Sequence, residues 1–386
     1  MIRIGDCREL LPTLDAESVQ CVVTSPPYLG LRDYGVEGQI GLEEVPDCLG
    51  WATGAECGHC FVCELVGVFR HVRRVLKSDG VCWVNLGDSY AGSGRGGSPG
   101  GPSSTLAGMQ PEHAMVKRTR DDVSNSQRTH SRPARGSRLP AGLHAEQVEA
   151  GVTGRAWVPA PKGWKQKDLM GMPWRVALAM QADGWYLRQD VIWHKPNPMP
   201  ESVTDRCTKA HEYLFMLTKS PKYYFDATAI SEPMAPASIN RLAQNVEAQR
   251  GSDRVPGKTN GAMKAVSRPE NAERISASRD KYREAGLPDG PGMMRNRRSV
   301  WTVPTVPFKD AHFATYPEKL IEPCIVASTR PGDMVLDPFL GAGTTAVVAD
   351  RLGRRWTGCE LNPDYASIAE ARIRAVQPGL PLDNAA

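Results

Sequence analysis

The chain has 386 residues, 41% of them hydrophobic, enough to bury a large core and to allow two or three domains. Its formal net charge is only +4, which excludes a global polycation, and no apolar run approaches the ~20 residues that a membrane span needs. Ten cysteines lack the regular spacing of a small secreted scaffold, so a reducing cytoplasm is expected, with no signal peptide ahead of the first strand.

Met1 to Ile4 reads as a strand ending in Gly5-Asp6-Cys7, and a helix from Arg8 to Leu14 follows, with Asp6 placed to cap it. The β-branched run Cys21-Val22-Val23 predicts a buried strand of a parallel sheet. It leads directly into Thr24-Ser25-Pro26-Pro27-Tyr28, whose prolines forbid the strand from continuing. The chain therefore leaves the sheet at its carboxyl end, where open α/β sheets place their ligands. A hydroxyl, a carbonyl and an aromatic ring fixed within a few ångström can hold a flat, amine-bearing ring. The alternative is a proline-rich exit with no chemistry.

An insertion at residues 46–64 carries Cys48, Cys57, Cys60 and Cys63, the last three as CxxCxxC, among glycines that let the backbone turn around an ion. Four thiolates suit a closed structural zinc site; an iron–sulfur cluster and merely reduced thiols are the alternatives. Leu65, Val66, Phe69, Val72, Val75 and Leu76 recur at helical spacing, and Gly80 is expected to end the connection before a strand from Val81 to Leu86.

Between residues 91 and 167 the pattern collapses into Gly, Ser, Pro, Arg and Thr, with 12 Lys/Arg against 5 Asp/Glu. Such composition cannot bury enough apolar area to fold alone and is expected to be mobile without a partner. It could ride on phosphates or be a solvated insertion of no consequence. Helix and strand signals return at Pro173 to Ala182 and Trp185 to Trp193. A second irregular stretch, residues 231–298, has 13 Lys/Arg against 8 Asp/Glu and ends in Arg295, Arg297 and Arg298. Charge alone suggests phosphate contact, which positions a protein on DNA without reading sequence.

Asp333 to Thr345 again predicts a strand and a turn, DPFLGAGTT, now opening a helix. Gly341 and Gly343 allow close approach of a ligand, and the free N–H groups of the helix favour a carboxylate or phosphate. The strand Arg355 to Cys359 ends in Glu360, near the roughly 20-residue offset at which an acid grips ribose hydroxyls. A glycine-rich turn could equally mean NAD. Here DPF stands in place of GxGxxG, and no second nucleotide half is evident.

Together these residues resemble the S-adenosylmethionine-dependent amino-methyltransferases of DNA. SPPY is similar to the family's catalytic motif, and DPFLGAGTT with Glu360 to its cofactor motif. Asp190 to Pro198 and Val84 to Ser89 resemble further family segments, and Phe313 to Leu320 resembles the helix lead-in that closes over the cofactor. The catalytic motif comes first, as in the circularly permuted, β-type group. The implied fold is α/β, a Rossmann-like class I methyltransferase fold, circularly permuted, with irregular basic insertions. It would be one methyltransferase domain overall. Its catalytic half spans residues 1–90 and 168–230, interrupted by the basic insertion 91–167. A target-recognition region (231–300) and a cofactor-binding half (301–386) follow.

The resemblance implies S-adenosylmethionine held by Asp6, Thr24, Thr315, Asp337, Phe339, Gly341, Gly343, Thr344, Glu360 and Asn362. It places catalysis at Ser25, Pro26, Pro27 and Tyr28. The implied reaction is methylation of the exocyclic N4 amine of a cytosine flipped out of double-stranded DNA, because SPPY is commoner among cytosine-N4 enzymes. Adenine N6 is the alternative, with the same fold and mechanism. Methylation at carbon 5 needs a cysteine nucleophile in a Pro-Cys context, and Pro323-Cys324 lies in the cofactor half instead. A catalytically inactive DNA-binding protein would need a damaged turn, yet both turns read as intact. RNA would suit the same pocket chemistry, and the resemblance favours DNA. No catalytic metal is expected. A homodimer and a cognate restriction enzyme are left open. Bacterial and phage genomes both carry such enzymes, so the expected location is the cytoplasm, near the nucleoid.

Overall fold

In a computed structural model of the chain, the described residues are 1–30, 34–92, 160–161, 163–235, 294–306 and 315–375. Most of both basic insertions, and Phe313 and Ala314 of the lead-in, lie outside the described residues. In chain order the elements are β1 (Ile2–Ile4), α1 (Cys7–Leu10), β2 (Val19–Thr24), α2 (Phe61–Val75), β3 (Leu76–Leu86), α3 (Met172–Ala182), β4 (Tyr186–His194) and β5 (His211–Thr218). There follow β6 (Glu232–Pro233), β7 (Met294–Arg295), β8 (Val300–Thr302), α4 (Glu318–Ser328), β9 (Met334–Asp337), α5 (Thr344–Arg351), β10 (Arg355–Glu360) and α6 (Pro363–Ala375).

Eight strands form one sheet in the order β1-β10-β9-β2-β3-β5-β4-β8, while β6 and β7 pair with each other. Strands β1, β10, β9, β2 and β3 run parallel, and β5 lies antiparallel between β3 and β4. Side chains alternate across the sheet and divide the core in two. Val22, Cys82 and Val84 pack with α2 and α3 on one face, while Cys21, Val23 and Trp83 pack with α4 and α5 on the other. Helix α2 forms because its apolar positions recur every three or four residues, with Glu64 in its first turn and Arg73 and Arg74 in its last. Its Phe69 is wholly buried, which contributes about 2–3 kcal/mol.

The architecture is the Rossmann-like α/β fold expected from the sequence, with β2, which leads into SPPY, and β9, which leads into DPFLGAGTT, paired although more than 300 residues separate Thr24 from Asp337. The order of the sheet reverses between those two strands, which makes their carboxyl ends the binding crevice of an open α/β sheet.

Three local expectations are corrected. Helix α1 stops at Leu10 and a 3-10 turn, Leu11–Thr13, replaces the rest, because Pro12 cannot donate to the helical ladder. Strand β3 begins at Leu76 with no turn at Gly80; residues 77–80 bulge out of the ladder, which pairs continuously from Val81. Strand β5 was not expected at all.

One buried carboxylate holds the crevice together. Asp337, 1% exposed, ends β9 and accepts hydrogen bonds from Thr24 at the end of β2 (2.6 Å) and from the Phe339 amide (3.0 Å) on Oδ1. Its Oδ2 accepts from Thr345 in α5 (2.6 Å) and from Tyr316 before α4 (3.0 Å). Every neighbour is a donor, so the geometry suits the ionised carboxylate; burial pushes its pKa up, and the four hydrogen bonds act in the opposite direction. Asp337→Asn would turn an amide N–H toward at least one of these donors. Urea unfolding at neutral pH is expected to show a loss of about 2–3 kcal/mol; a loss under ~0.5 kcal/mol, the scale of an ordinary surface substitution, would contradict the clamp.

Candidate active site

The carboxyl ends of β1, β2, β9 and β10 open onto a single cleft enclosing about 1050 Å³, part of it open to solvent. One wall is the SPPY turn, with Ser25, Pro26, Pro27 and Tyr28 all lining the cleft. The facing wall is the cofactor turn, from Pro338 to Ala342, continued by Thr344 at the start of α5.

Two carboxylates stand at the cleft. Glu360 ends β10, where its Oε2 accepts from the Gly341 amide (2.7 Å) and its Oε1 from the Asn362 amide (2.9 Å). Burial pushes its pKa up. Asp6 ends the β1 turn, caps α1 through the Arg8 amide (2.8 Å), and pairs with the Arg8 guanidinium (2.6 Å). Burial alone would raise the Asp6 pKa, but the hydrogen bonds from Arg8 outweigh it and hold the carboxyl low. Tyr34 and Tyr365 meet edge to face across the cleft, ring centroids 6.1 Å apart.

Of the residues expected to hold the cofactor, Asp6, Thr315, Phe339, Gly341, Thr344, Glu360 and Asn362 line this cleft. Thr24, Asp337 and Gly343 do not. Thr24 and Asp337 are spent on each other, wholly buried beneath the floor. Gly343 turns away from the cleft and packs against Ala369 of α6. All three lie outside the residues that line the cleft. Of the arginines expected to meet phosphate, Arg295 and Arg298 pair with Glu232 (3.0 and 3.1 Å), and Arg297 lies over the Trp301 ring. The four cysteines of the insertion gather elsewhere, at the start of α2, and none lines the cleft.

Behind the catalytic turn lies a polar chain that sequence reasoning missed. Ser25 Oγ donates to the Tyr28 hydroxyl (3.3 Å), and Tyr28 donates to Glu212 Oε2 (2.9 Å). Glu212 in turn forms an ion pair with Lys195 through its other oxygen. Asn85 Oδ1 sits 3.1 Å from the same hydroxyl, while its amide nitrogen donates to the Tyr213 carbonyl. Lys195 belongs to a segment that resembles the family, but Glu212 carried no local signal. It reaches Tyr28 only because β5 pairs with β3 and β4 and sets Trp193 opposite Glu212. Burial, and then the Glu212 charge, push the Tyr28 pKa well above the usual phenol range, so the hydroxyl stays a donor.

A cleft lined by the Asp6 and Glu360 carboxylates and by the apolar Pro338, Phe339 and Leu361 suits a ligand with a flat ring, hydroxyls and an ammonium, which are the parts of S-adenosylmethionine. With a catalytic turn facing a cofactor turn at the switch point of a Rossmann-like sheet, fold and cleft define an S-adenosylmethionine-dependent methyltransferase. The DNA methylase family of N6 and N4 enzymes matches residues 19–371, and the chain belongs to that family. It is 37% identical to the Type II methyltransferase M.SmaI of Serratia marcescens over 96% of this chain and 90% of that protein. It is 38% identical to the Type II methyltransferase M.Cfr9I of Citrobacter freundii over 96% and 86%. Among solved structures, the cytosine-N4-specific PvuII DNA methyltransferase shares the fold, with a TM-score of 0.50 at 18% identity, covering 100% of this chain and 87% of that one. The chain is an S-adenosylmethionine-dependent DNA amino-methyltransferase.

Close packing behind Tyr28 gives a direct test. A Cβ on Gly87 would lie 2.6 Å from Tyr28 Cε2 and 3.0 Å from Cδ2, so the ring must move. Gly87→Ala is expected to lower kcat about 10²-fold, measured by methyl transfer at saturating cofactor, while cofactor affinity by calorimetry stays unchanged.

Proposed function

We propose that the enzyme methylates the exocyclic N4 amine of a cytosine flipped out of double-stranded DNA, with Ser25, Pro26 and Tyr28 as the groups that meet the base. The observation that carries this reading is Ser25, a hydroxyl rather than a carboxylate, at the first position of a catalytic turn that opens into the cofactor cleft. S-adenosylmethionine, when bound, supplies a methyl group already activated by its sulfonium. The protein's task is therefore alignment in a pocket shielded from water.

Glu360 and Asp6 offer carboxylate oxygens to hydroxyl and amine donors, and Phe339 offers an apolar face. The Asn362 and Gly341 amides hold Glu360 in one orientation by hydrogen bonds. At the other wall, an exocyclic amine is a poor nucleophile because its lone pair is conjugated into the ring. Ser25 Oγ and the Pro26 carbonyl accept its hydrogens and favour a pyramidal nitrogen, an interaction that strengthens in the transition state. The Tyr28 ring stacks on the base, which is reachable only once flipped from the duplex. Lys195 and Glu212 fix the Tyr28 hydroxyl, and through it the ring and Ser25. No strong base is needed before attack, because the product ammonium loses its proton readily.

The target-recognition role of residues 231–300, and phosphate contact by 91–167, rest on their position in the chain and their basic composition. The similarity to Type II methyltransferases supports a cognate restriction endonuclease acting at the same DNA sequence. Bacterial relatives support a cytoplasmic place beside the genome, and no helix among the described residues is long and apolar enough to cross a membrane.

Labelled methyl transfer to unmethylated genomic DNA, followed by nucleoside mass spectrometry, is expected to yield N4-methyldeoxycytidine. N6-methyldeoxyadenosine in its place would overturn the base assignment. Ser25→Ala is expected to lower kcat about 10²–10³-fold with little change in cofactor affinity. Glu212→Gln keeps the shape and removes the charge that pairs with Lys195; a fall of about tenfold in kcat is expected, with cofactor affinity intact. Wild-type turnover in Glu212→Gln would show that Tyr28 needs no such support.

A further inference from the structure

Four thiol side chains converge at the start of α2 from two short stretches of chain, one carrying Cys48 and the other residues 57–63. The Sγ atoms of Cys48, Cys57, Cys60 and Cys63 all lie within 4.8 Å of one another, and all four cysteines are free thiols. Cys48 and Cys63 are 3.6 Å apart, and Cys57 and Cys63 are 4.0 Å apart. A tetrahedron with Zn–S bonds of ~2.3 Å has sulfur–sulfur edges of about 3.8 Å, between these two values. A sulfur cage this tight has room for one ion and not for a cluster of several irons.

The backbone around the cage is arranged to receive negative sulfur. The Gly50 amide points at Cys48 Sγ (3.2 Å), the Cys60 amide at Cys57 Sγ (3.3 Å), and the Cys63 amide at Cys60 Sγ (3.4 Å). Such N–H···S contacts offset thiolate charge and orient ligands. The first loop is closed so tightly that a Cβ on Gly50 would lie 2.2 Å from the Ala55 carbonyl oxygen, which makes glycine obligatory there. Cys48 and Cys57 are half-buried, Cys60 and Cys63 buried. Hydrophobic packing alone does not account for four thiols turned toward one point with three amides aimed at them.

We propose that these four cysteines form a closed structural zinc(II) site, and that it secures the loop that walls the cofactor cleft. The residues preceding the cage connect it to the cleft. Asp47, beside Cys48, pairs with Arg175 of α3 (2.8 Å) and accepts from Trp51 Nε1 (3.1 Å). The Val45 carbonyl accepts from the Phe61 amide (3.1 Å), which fastens the loop to the first turn of α2. Glu43 then holds the Gly41 amide (2.9 Å), and the Gly41 carbonyl accepts from Gly30 (2.8 Å), just past Tyr28. Val36, Gly38, Gln39 and Ile40, between these anchors, line the cleft. With four protein ligands no coordination position remains for water or substrate, so the ion takes no part in methyl transfer. The metal binding itself stands whether or not the base assignment is right.

Elemental analysis of the purified full chain is expected to give about one zinc per chain with no acid-labile sulfide. Cobalt(II) in its place is expected to show the intense visible and near-ultraviolet bands of a tetrahedral tetrathiolate. Cys57→Ser should lose most of the metal and melt about 5 °C or more below the wild type, whereas Cys57→His, which keeps a nitrogen ligand, should recover metal and melting temperature. Zinc extraction from the wild type should weaken S-adenosylmethionine binding severalfold by calorimetry, and zinc return should restore it. Less than ~0.2 zinc per chain after reconstitution, iron with labile sulfide, or full zinc content in Cys57→Ser would each overturn the site. Unchanged cofactor affinity in the zinc-free protein would overturn the link to the cleft.

Discussion

The Asp337 carboxylate is the interaction on which the rest of the site depends. Four donors from four places in the chain meet on its two oxygens: the end of the catalytic strand, the cofactor turn, the helix that follows it, and the lead-in to α4. A buried carboxylate is costly unless each lone pair is used, and here the donors also fix where the two turns stand relative to each other. The cleft exists because these strands are adjacent, parallel and locked at their carboxyl ends.

On that base the chemistry divides between two walls. Backbone amides hold Glu360 at the cofactor wall, and side chains hold Tyr28 at the catalytic wall. In the proposed mechanism the second arrangement matters because the reaction needs alignment more than acid or base strength. A tyrosine that both lines the cleft and anchors its hydroxyl on Glu212 presents its ring at a fixed angle, with Gly87 pressed against its edge. Ordering these groups before the base arrives lowers the entropy that must be lost in reaching the transition state.

The cysteine-rich insertion belongs to the same logic at greater distance. The connection between β2 and α2, residues 25–60, contains no strand or α-helix among its described residues and sends only a few side chains, such as Leu29 and Ile40, into the core. Residues 36–40 of this loop are nonetheless part of the cleft wall. The sulfur cage, the Asp47–Arg175 pair and the caps on α2 supply the order that packing does not.

The sequence by itself determined the two turns, because their chemistry is short-range. Prolines 26 and 27 must end a strand wherever they fall, and DPFLGAGTT must turn and open a helix. The β-branched run before SPPY pointed to a parallel α/β sheet, while the Rossmann-like methyltransferase fold and its permutation came from the family resemblance of the motifs and their order. Strand β5 could have been read from Tyr213 to Thr218, an apolar run of strand length that went unused. What only the tertiary structure decided were contacts between distant segments. Nothing local in His211-Glu212 says that a carboxylate will reach Tyr28, 184 residues earlier. Nor does any local pattern say that Thr24 and Asp337 hydrogen-bond to each other. CxxCxxC with a lone Cys48 lacked the usual paired spacing, and only the folded loop brings the fourth sulfur alongside the other three. Turn and helix signals act over a few residues, and sheet pairing acts over hundreds. The motifs were therefore legible in the chain, while the partners that hold them in place were fixed by the strand order.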